Sequence, residues 1–183
     1  MRIVLVGYRG CGKSTVGRLL AEQLGLPFFD TDARIEELAG RTVRRIVDDG
    51  GWGEFRALER RVIAELPDER CVVALGGGAV LDRANVEALE TDGFFVWLTA
   101  GTNVILERLD ADGKTAEQRP PLTEGGVREE VERLLRERLP VYRLVADLAI
   151  DTSHRSTIEV TEMIAEYVVR RLSVPAACPQ SGV

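Results

Sequence analysis

Residues Gly7-Tyr8-Arg9-Gly10-Cys11-Gly12-Lys13-Ser14 set two glycines, a lysine and a hydroxyl at the spacing G-x-x-x-x-G-K-[ST], with Thr15 next. That spelling suits one chemistry. Glycines let backbone N–H groups turn inward around a polyphosphate, and a helix starting here adds partial positive charge at its N-terminus. Lys13 reaches the β- and γ-phosphates as a compact point charge, and the Ser14 hydroxyl stands where it can ligate Mg²⁺. The lysine is informative in itself. Of 24 basic residues 22 are arginine, and Lys13 and Lys114 are the two lysines. A planar guanidinium fork on a longer stem would not fit the same cradle. The motif names a nucleoside triphosphate and leaves the acceptor open.

A phosphoryl-transfer enzyme must also hold an acceptor hydroxyl in line with the γ-phosphate and exclude water. Ligands of open α/β sheets gather at the carboxyl ends of the strands. Two further groups stand at such ends, Asp30-Thr31-Asp32 and Gly76-Gly77-Gly78. Asp30 and Asp32 can serve Mg²⁺ and the acceptor hydroxyl; the plainer reading of either is a helix cap. Three consecutive glycines leave N–H groups and room for a ligand against the main chain; the plainer reading is a turn. Ala74-Leu75-Gly76 occupies the place where an apolar run would ordinarily end in a magnesium-binding Asp, so Asp30 has to cover that role.

The elements that must position these groups follow from periodicity. Ile3–Val6 is an apolar run of the kind buried on both faces of a sheet. Val16, Leu19, Leu20 and Leu24 recur at helical spacing until Gly25 and Pro27 end the helix. Phe28-Phe29 forms a brief second strand closed by Asp30. The span 31–66 reads as broken helix: Thr31 or Asp32 caps it, Gly40 ends the first piece, and Gly50-Gly51 separates the last. Strands at 71–75, 94–98 and 147–150 alternate with helices at 83–90, 101–109, 127–138 and 157–172. The polar stretch 110–126, with Pro120 and Pro121, is too long for a simple connector and is expected to be functional or mobile. Residues 173–183 read as a frayed tail. This alternation implies a parallel sheet sandwiched by helices. The expectation is one domain, 1–172, with excursions at about 31–60 and 110–126.

Composition narrows the partners. With 183 residues, 45% of them hydrophobic, the chain can bury a full core. Its formal net charge of -6 argues against a protein held by a nucleic-acid backbone or an anionic membrane. No apolar stretch approaches the roughly 18 residues of a membrane span, and the N-terminus lacks a signal-peptide layout. Cys11, Cys71 and Cys178 are too few and too scattered for a disulfide framework or a zinc cluster. A soluble, cytoplasmic monomer is expected.

Beside the phosphate loop, the chain carries Phe-Phe-Asp-Thr-Asp (28–32), Gly-Glu-Phe-Arg-Ala-Leu-Glu (53–59), Leu-Gly-Gly-Gly (75–78), Arg-Pro-Pro-Leu-Thr (119–123) and Glu-Arg-Leu-Pro-Val-Tyr-Arg (137–143). In that order they resemble the motifs of the shikimate kinases, from Met1 to about Leu172. The resemblance implies an α/β fold of the nucleoside-monophosphate-kinase type, with three layers (α/β/α), a five-stranded parallel sheet, a substrate-binding excursion and a mobile lid. It implies Mg²⁺- and ATP-dependent phosphorylation of the 3-hydroxyl of shikimate, on the route to chorismate and the aromatic amino acids. By the same resemblance Lys13, Asp32 and Arg119 are catalytic, and Asp32, Arg56, Arg138 and the backbone of Gly76, Gly77 and Gly78 contact shikimate. Gly10, Cys11, Gly12, Lys13, Ser14 and Thr15 hold the nucleotide's phosphates. Arg119 is the lid arginine over them, while Arg108 and Arg155 flank the adenine. Ser14 and Asp30 stand on the metal side, and Glu59 holds the site's arginines. Physical chemistry agrees independently: arginine grips a carboxylate bidentately, and Asp32 can accept hydrogen bonds from ring hydroxyls. The lid motif departs from the family's frequent Arg-Pro-Leu-Leu, which bears on the lid's closed geometry rather than on the chemistry.

Other residues invite less. His154 reads as a solvated loop residue with contact to the adenine as its alternative, Trp97 as core, and Trp52 as a wall of the acceptor pocket or an ordinary surface aromatic. Cys11 is most simply a small residue tolerated in the loop, although a helix N-terminus can lower a thiol pKa. A related kinase acting on gluconate or a nucleoside monophosphate is opposed by the 53–59 and 137–143 motifs. A nucleotide switch without an acceptor is opposed by the two arginines and Asp32.

Overall fold

The computed structural model describes residues 1–111 and 126–173. Its centre is a five-stranded sheet: β1 (Arg2–Val6), β2 (Phe28–Asp30), β3 (Val72–Ala74), β4 (Gly93–Thr99) and β5 (Leu148–Asp151). The strand order is β2-β3-β1-β4-β5 and every pairing is parallel. Ile3 stands level with Val72 on one side and Phe94 on the other. A strand paired on both edges and covered on both faces needs apolar residues throughout, and all five residues of β1 are buried. Its side chains alternate between two cores. Ile3 and Leu5 join the cluster under α1 (Lys13–Leu24), α5 (Thr102–Ala111) and α7 (Thr157–Ser173). Val4 and Val6 join the opposite cluster, with Ile63 of α3 (Val43–Ala64), Leu89 of α4 (Arg83–Glu90) and Tyr142 of α6 (Val127–Val145). These two cores make the three layers. A third, smaller cluster packs Ile35 of α2 (Thr31–Ala39) on Val43, Ile46, Phe55 and Val62 of α3.

Three local features bear on the site. The cap of α2 is Asp30, not Thr31 or Asp32: its side chain accepts from the N–H groups of Asp32 and Ala33, so β2 runs directly into the helix. Gly50-Gly51 does separate two helical pieces of α3, which meet at a kink at Gly51, whose φ of 73° and ψ of 177° are open to glycine at little steric cost. Helix α6 runs past the expected end at 138 to Val145, through Pro140. A proline inside a helix forfeits one hydrogen bond; burial of Tyr142, 1% exposed, on the far side of it offsets that loss. A short 3₁₀ turn, Ala79–Leu81, follows the three glycines. Among the described residues no helix is long and apolar enough to cross a membrane.

Candidate active site

Parallel pairing puts all five strand C-termini on one edge of the sheet, and the site is built there. The loop from Gly7 leads into α1, whose N-cap is Gly12 at φ 90°. Lys13 folds back over the loop, its Nζ donating to the carbonyl oxygens of Gly7 (2.8 Å) and Tyr8 (3.0 Å). A cleft of about 690 Å³ opens above, within the usual range for a small-molecule ligand. Gly10, Cys11, Gly12, Lys13, Ser14, Thr15, Asp30, Asp32, Arg108 and Arg155 all line it.

Asp30 divides its carboxylate between two tasks. Oδ1 accepts from the backbone N–H of Asp32 (3.1 Å) and Ala33 (3.3 Å), capping α2, while Oδ2 accepts from the Ser14 hydroxyl at 2.5 Å. Mg²⁺ usually takes one or two hard protein oxygens and completes its octahedron with waters and phosphates. A hydroxyl and a carboxylate meeting at the start of the phosphate cradle fit that demand. Thr31, buried between the two aspartates, donates to Ala74 O (3.3 Å) and accepts from the N–H of Gly76 (2.9 Å), which ties the end of β2 to the glycine turn.

A narrower pocket adjoins the cleft. Tyr8, Arg9, Asp32, Val43, Trp52, Phe55, Arg56, Glu59, Gly76, Gly77, Gly78 and Arg138 line it. The residues expected at an acceptor are therefore together, although positions 56 and 138 belong to different helices. Arg56 pairs with Glu59 at 2.5 Å and lies over the rings of Phe55 (5.2 Å) and Trp52 (5.8 Å). Arg138 donates to Gly77 O at 3.1 Å and lies over the Tyr8 ring at 5.5 Å. Tyr142 donates its hydroxyl to the same carbonyl. The glycines are explained by what surrounds them. A Cβ on Gly76 would stand 2.7 Å from Asp32 Oδ1, and one on Gly78 would stand 2.6 Å from an Arg56 nitrogen.

Burial leaves this pocket electrostatically incomplete. Tyr8 Oη, Arg9 Nε, Glu59 Oε1 and Arg138 Nε are buried without hydrogen-bond partners, and all four belong to residues lining it. Unmet polar atoms of this kind cost about 1–3 kcal/mol each. Burial pushes the Glu59 carboxyl above its ordinary range, and the Arg56 guanidinium opposes the shift. Burial likewise raises the Tyr8 hydroxyl against the charges of Arg9 and Arg138, and raises Tyr142.

Some expectations shift. The Cys11 thiol is not lowered by the helix N-terminus; it is 1% exposed within the core, and burial raises it. Arg108 lines the cleft while clamping the loop, donating to Gly10 O (3.2 Å), Thr152 Oγ1 (2.9 Å) and Thr152 O (2.7 Å). Arg155 is exposed and donates to Asp151 O. His154 is exposed and Trp97 is buried against Tyr142. Trp52 is a wall of the narrower pocket. Arg119, and all but the ends of 110–126, lie outside the described residues, as does the tail beyond 173. Tyr8, Arg9, Glu130, Tyr142 and Thr152 were not anticipated. The motif leaves positions 8 and 9 open, and only the phrase 137–143 carried a hint of Tyr142.

The family model for shikimate kinase matches residues 9–172. A shikimate kinase of Syntrophus aciditrophicus is 43% identical over 182 residues, covering 94% of this chain and 93% of its own. That of Thermobifida fusca is 44% identical over 168 residues, covering 89% and 92%. Among solved structures, shikimate kinase from Acinetobacter baumannii in complex with shikimate superposes with a TM-score of 0.86 at 34% identity, covering 94% of this chain and 95% of that one. A phosphate cradle beside an arginine-lined pocket, and likeness along nearly the whole length, lead to one assignment: the chain belongs to the shikimate kinase family.

Proposed function

We propose that this chain transfers the γ-phosphoryl group of ATP to the 3-hydroxyl of shikimate, with Mg²⁺, giving shikimate 3-phosphate and ADP. One observation carries the reading. The narrower pocket concentrates buried polar atoms that lack partners, next to two arginines and a bare glycine main chain, and it shares a wall with the phosphate cleft. A small ring bearing one carboxylate and several hydroxyls answers those needs.

In this reading the loop N–H groups and Lys13 hold the triphosphate, and Arg119 adds charge from the lid at 110–126. Arg56 and Arg138 grip the shikimate carboxylate, with Glu59 fixing Arg56. Asp32, which lines both pockets, accepts the hydrogen bond of the attacking hydroxyl and so aims its oxygen at the γ-phosphorus. A new P–O bond forms as the bond to the bridging oxygen of ADP breaks, and the hydroxyl proton leaves along the Asp32 hydrogen bond. Ser14 and Asp30 hold Mg²⁺, which when bound neutralises charge on the phosphate oxygens. Positioning and charge neutralisation supply most of the acceleration. Arg108 and Arg155 flank the nucleotide base, residues 31–60 form the acceptor-binding region, and the enzyme acts as a cytoplasmic monomer.

A coupled ADP-release assay with Mg²⁺-ATP tests this, comparing shikimate, gluconate, AMP and no acceptor. Turnover that depends on shikimate, over little background hydrolysis, is the expected result. Equal ADP release without acceptor would overturn the assignment.

A further inference from the structure

The phosphate-loop motif leaves its second and third residues open, yet both are built into this site. Tyr8 is buried; its carbonyl accepts from Lys13 and its ring meets the guanidiniums of Arg9 (5.6 Å) and Arg138 (5.5 Å). Arg9 reaches the other way. Its Nη2 donates to Glu130 Oε1 at 2.6 Å, and the Glu130 side chain is 3% exposed. Glu130 lies in the first turns of α6, the helix that also carries Arg138. Among the described residues, Arg9 and Asp32 are the two that line both the phosphate cleft and the acceptor pocket.

We infer that the Arg9–Glu130 pair is a positioning strut that sets the separation between the phosphate loop and α6, and with it the alignment of the two substrates. The inference rests on the transfer reaction proposed above. It follows from where the strut is anchored. One end is covalently part of the loop that cradles the triphosphate, and the other is on the helix whose Arg138 reaches the acceptor pocket. When the strut is weakened at its Glu130 end, each substrate keeps its own set of contacts, so binding survives. What drifts is the distance between reacting atoms, and a misplacement of about 1 Å can cost on the order of 100-fold in rate. The strut therefore acts on turnover, through the loop and α6, while the Arg9 side chain at its loop end belongs to both pockets as well.

Removing one member of this part-buried pair weakens the compensation of the other charge, so the informative variants remove both or keep both. The double variant Arg9→Met/Glu130→Gln discharges the strut at once. Its kcat is expected to fall about 10- to 100-fold, and because Arg9 also lines the acceptor pocket the KM for shikimate rises with it. Glu130→Asp keeps the charges, shortens the strut by one methylene, and serves if the double variant does not fold. Because every pocket-lining residue is kept, its kcat is expected to fall about 10-fold with both KM values within about threefold of the parent. Arg9→Lys, which restores a charge for Glu130, should turn over faster than the double variant. Parent-like kcat in the folded double variant or in Glu130→Asp overturns the inference, as does a loss confined to either KM. Shikimate-dependent turnover by the parent separates the two hypotheses: its absence refutes the reaction, whereas its presence with indifferent variants refutes the strut.

Discussion

Glu59 sits 0% exposed at the floor of the acceptor pocket, with one oxygen on Arg56 and the other lacking a partner. Its carboxyl is raised from an ordinary value of 4.5, by burial first and with Arg56 opposing. As pH climbs past 4.5 the unfolded chain releases this proton before the folded chain does. Folding stability from this group is therefore full below that value, declines as pH rises toward the raised one, and levels off beyond it. Glu59→Gln cannot titrate, so its melting temperature should gain on the parent's as pH rises from 4.5 to neutrality. The same change loosens Arg56, and the KM for shikimate should rise about 10-fold while that for ATP stays put, since a hydrogen bond to a charged group is worth roughly 1.5–3 kcal/mol. Melts across pH and steady-state kinetics check both halves. The contrast with Arg9 is instructive for what a sequence discloses. That Lys13, Ser14 and Asp30 share one cleft was legible, because the loop motif fixes the first two at set spacing and a strand end presents the third. Arg9 and Glu130 were not, because they lie 121 positions apart and meet only when the sheet has formed.

Among the elements, the turn after β3 shows how main chain can be functional by lacking side chains. Gly76→Ala would put a methyl 2.7 Å from Asp32 Oδ1 and 3.0 Å from Glu59 Oε1. Both are side-chain ends that can swing away, so the fold should persist with a modest loss in melting temperature. In the proposed reaction a displaced Asp32 no longer aims the hydroxyl, and kcat should drop on the order of 100-fold. Gly77→Ala is the internal control, since its nearest new contact is Arg9 N at 3.4 Å and its loss should be smaller. Kinetics and melts of the two proteins side by side decide. The five strands and their helices were readable from apolar runs and 3.6-residue periodicity, within a residue or two at the ends. What escaped was α6 beyond residue 138, because local propensity at Pro140 points to a stop and only the tertiary burial of Tyr142 reverses it. The break at Gly50-Gly51 was readable, because two adjacent glycines interrupt a helix, and it takes the form of a kink at Gly51.

For the molecule as a whole, ligands that bind only the folded form should stabilise it, by about 2.7 kcal/mol at a hundredfold excess over Kd. Chelation of Mg²⁺ is expected to abolish turnover and to shrink the melting shift produced by ATP, while leaving the shift produced by shikimate intact. Excess Mg²⁺ should restore both. Differential scanning fluorimetry with each ligand, with and without EDTA, measures this. A shikimate shift that vanishes with the metal would contradict the separation of the two pockets. That layout, one parallel sheet feeding two pockets from a single edge, was the part of the architecture most open to sequence reading, because strand–helix alternation leaves few alternatives.

The glycine turn has one more consequence. An inhibitor that takes its hydrogen bonds from the backbone of residues 76–78 engages atoms that every amino acid possesses. Resistance by point mutation at Gly76 or Gly78 would require a Cβ, and that Cβ collides with Asp32 or with Arg56, the side chains proposed to aim and grip the acceptor. A drug anchored on that stretch of peptide would meet escape mutants that are already crippled.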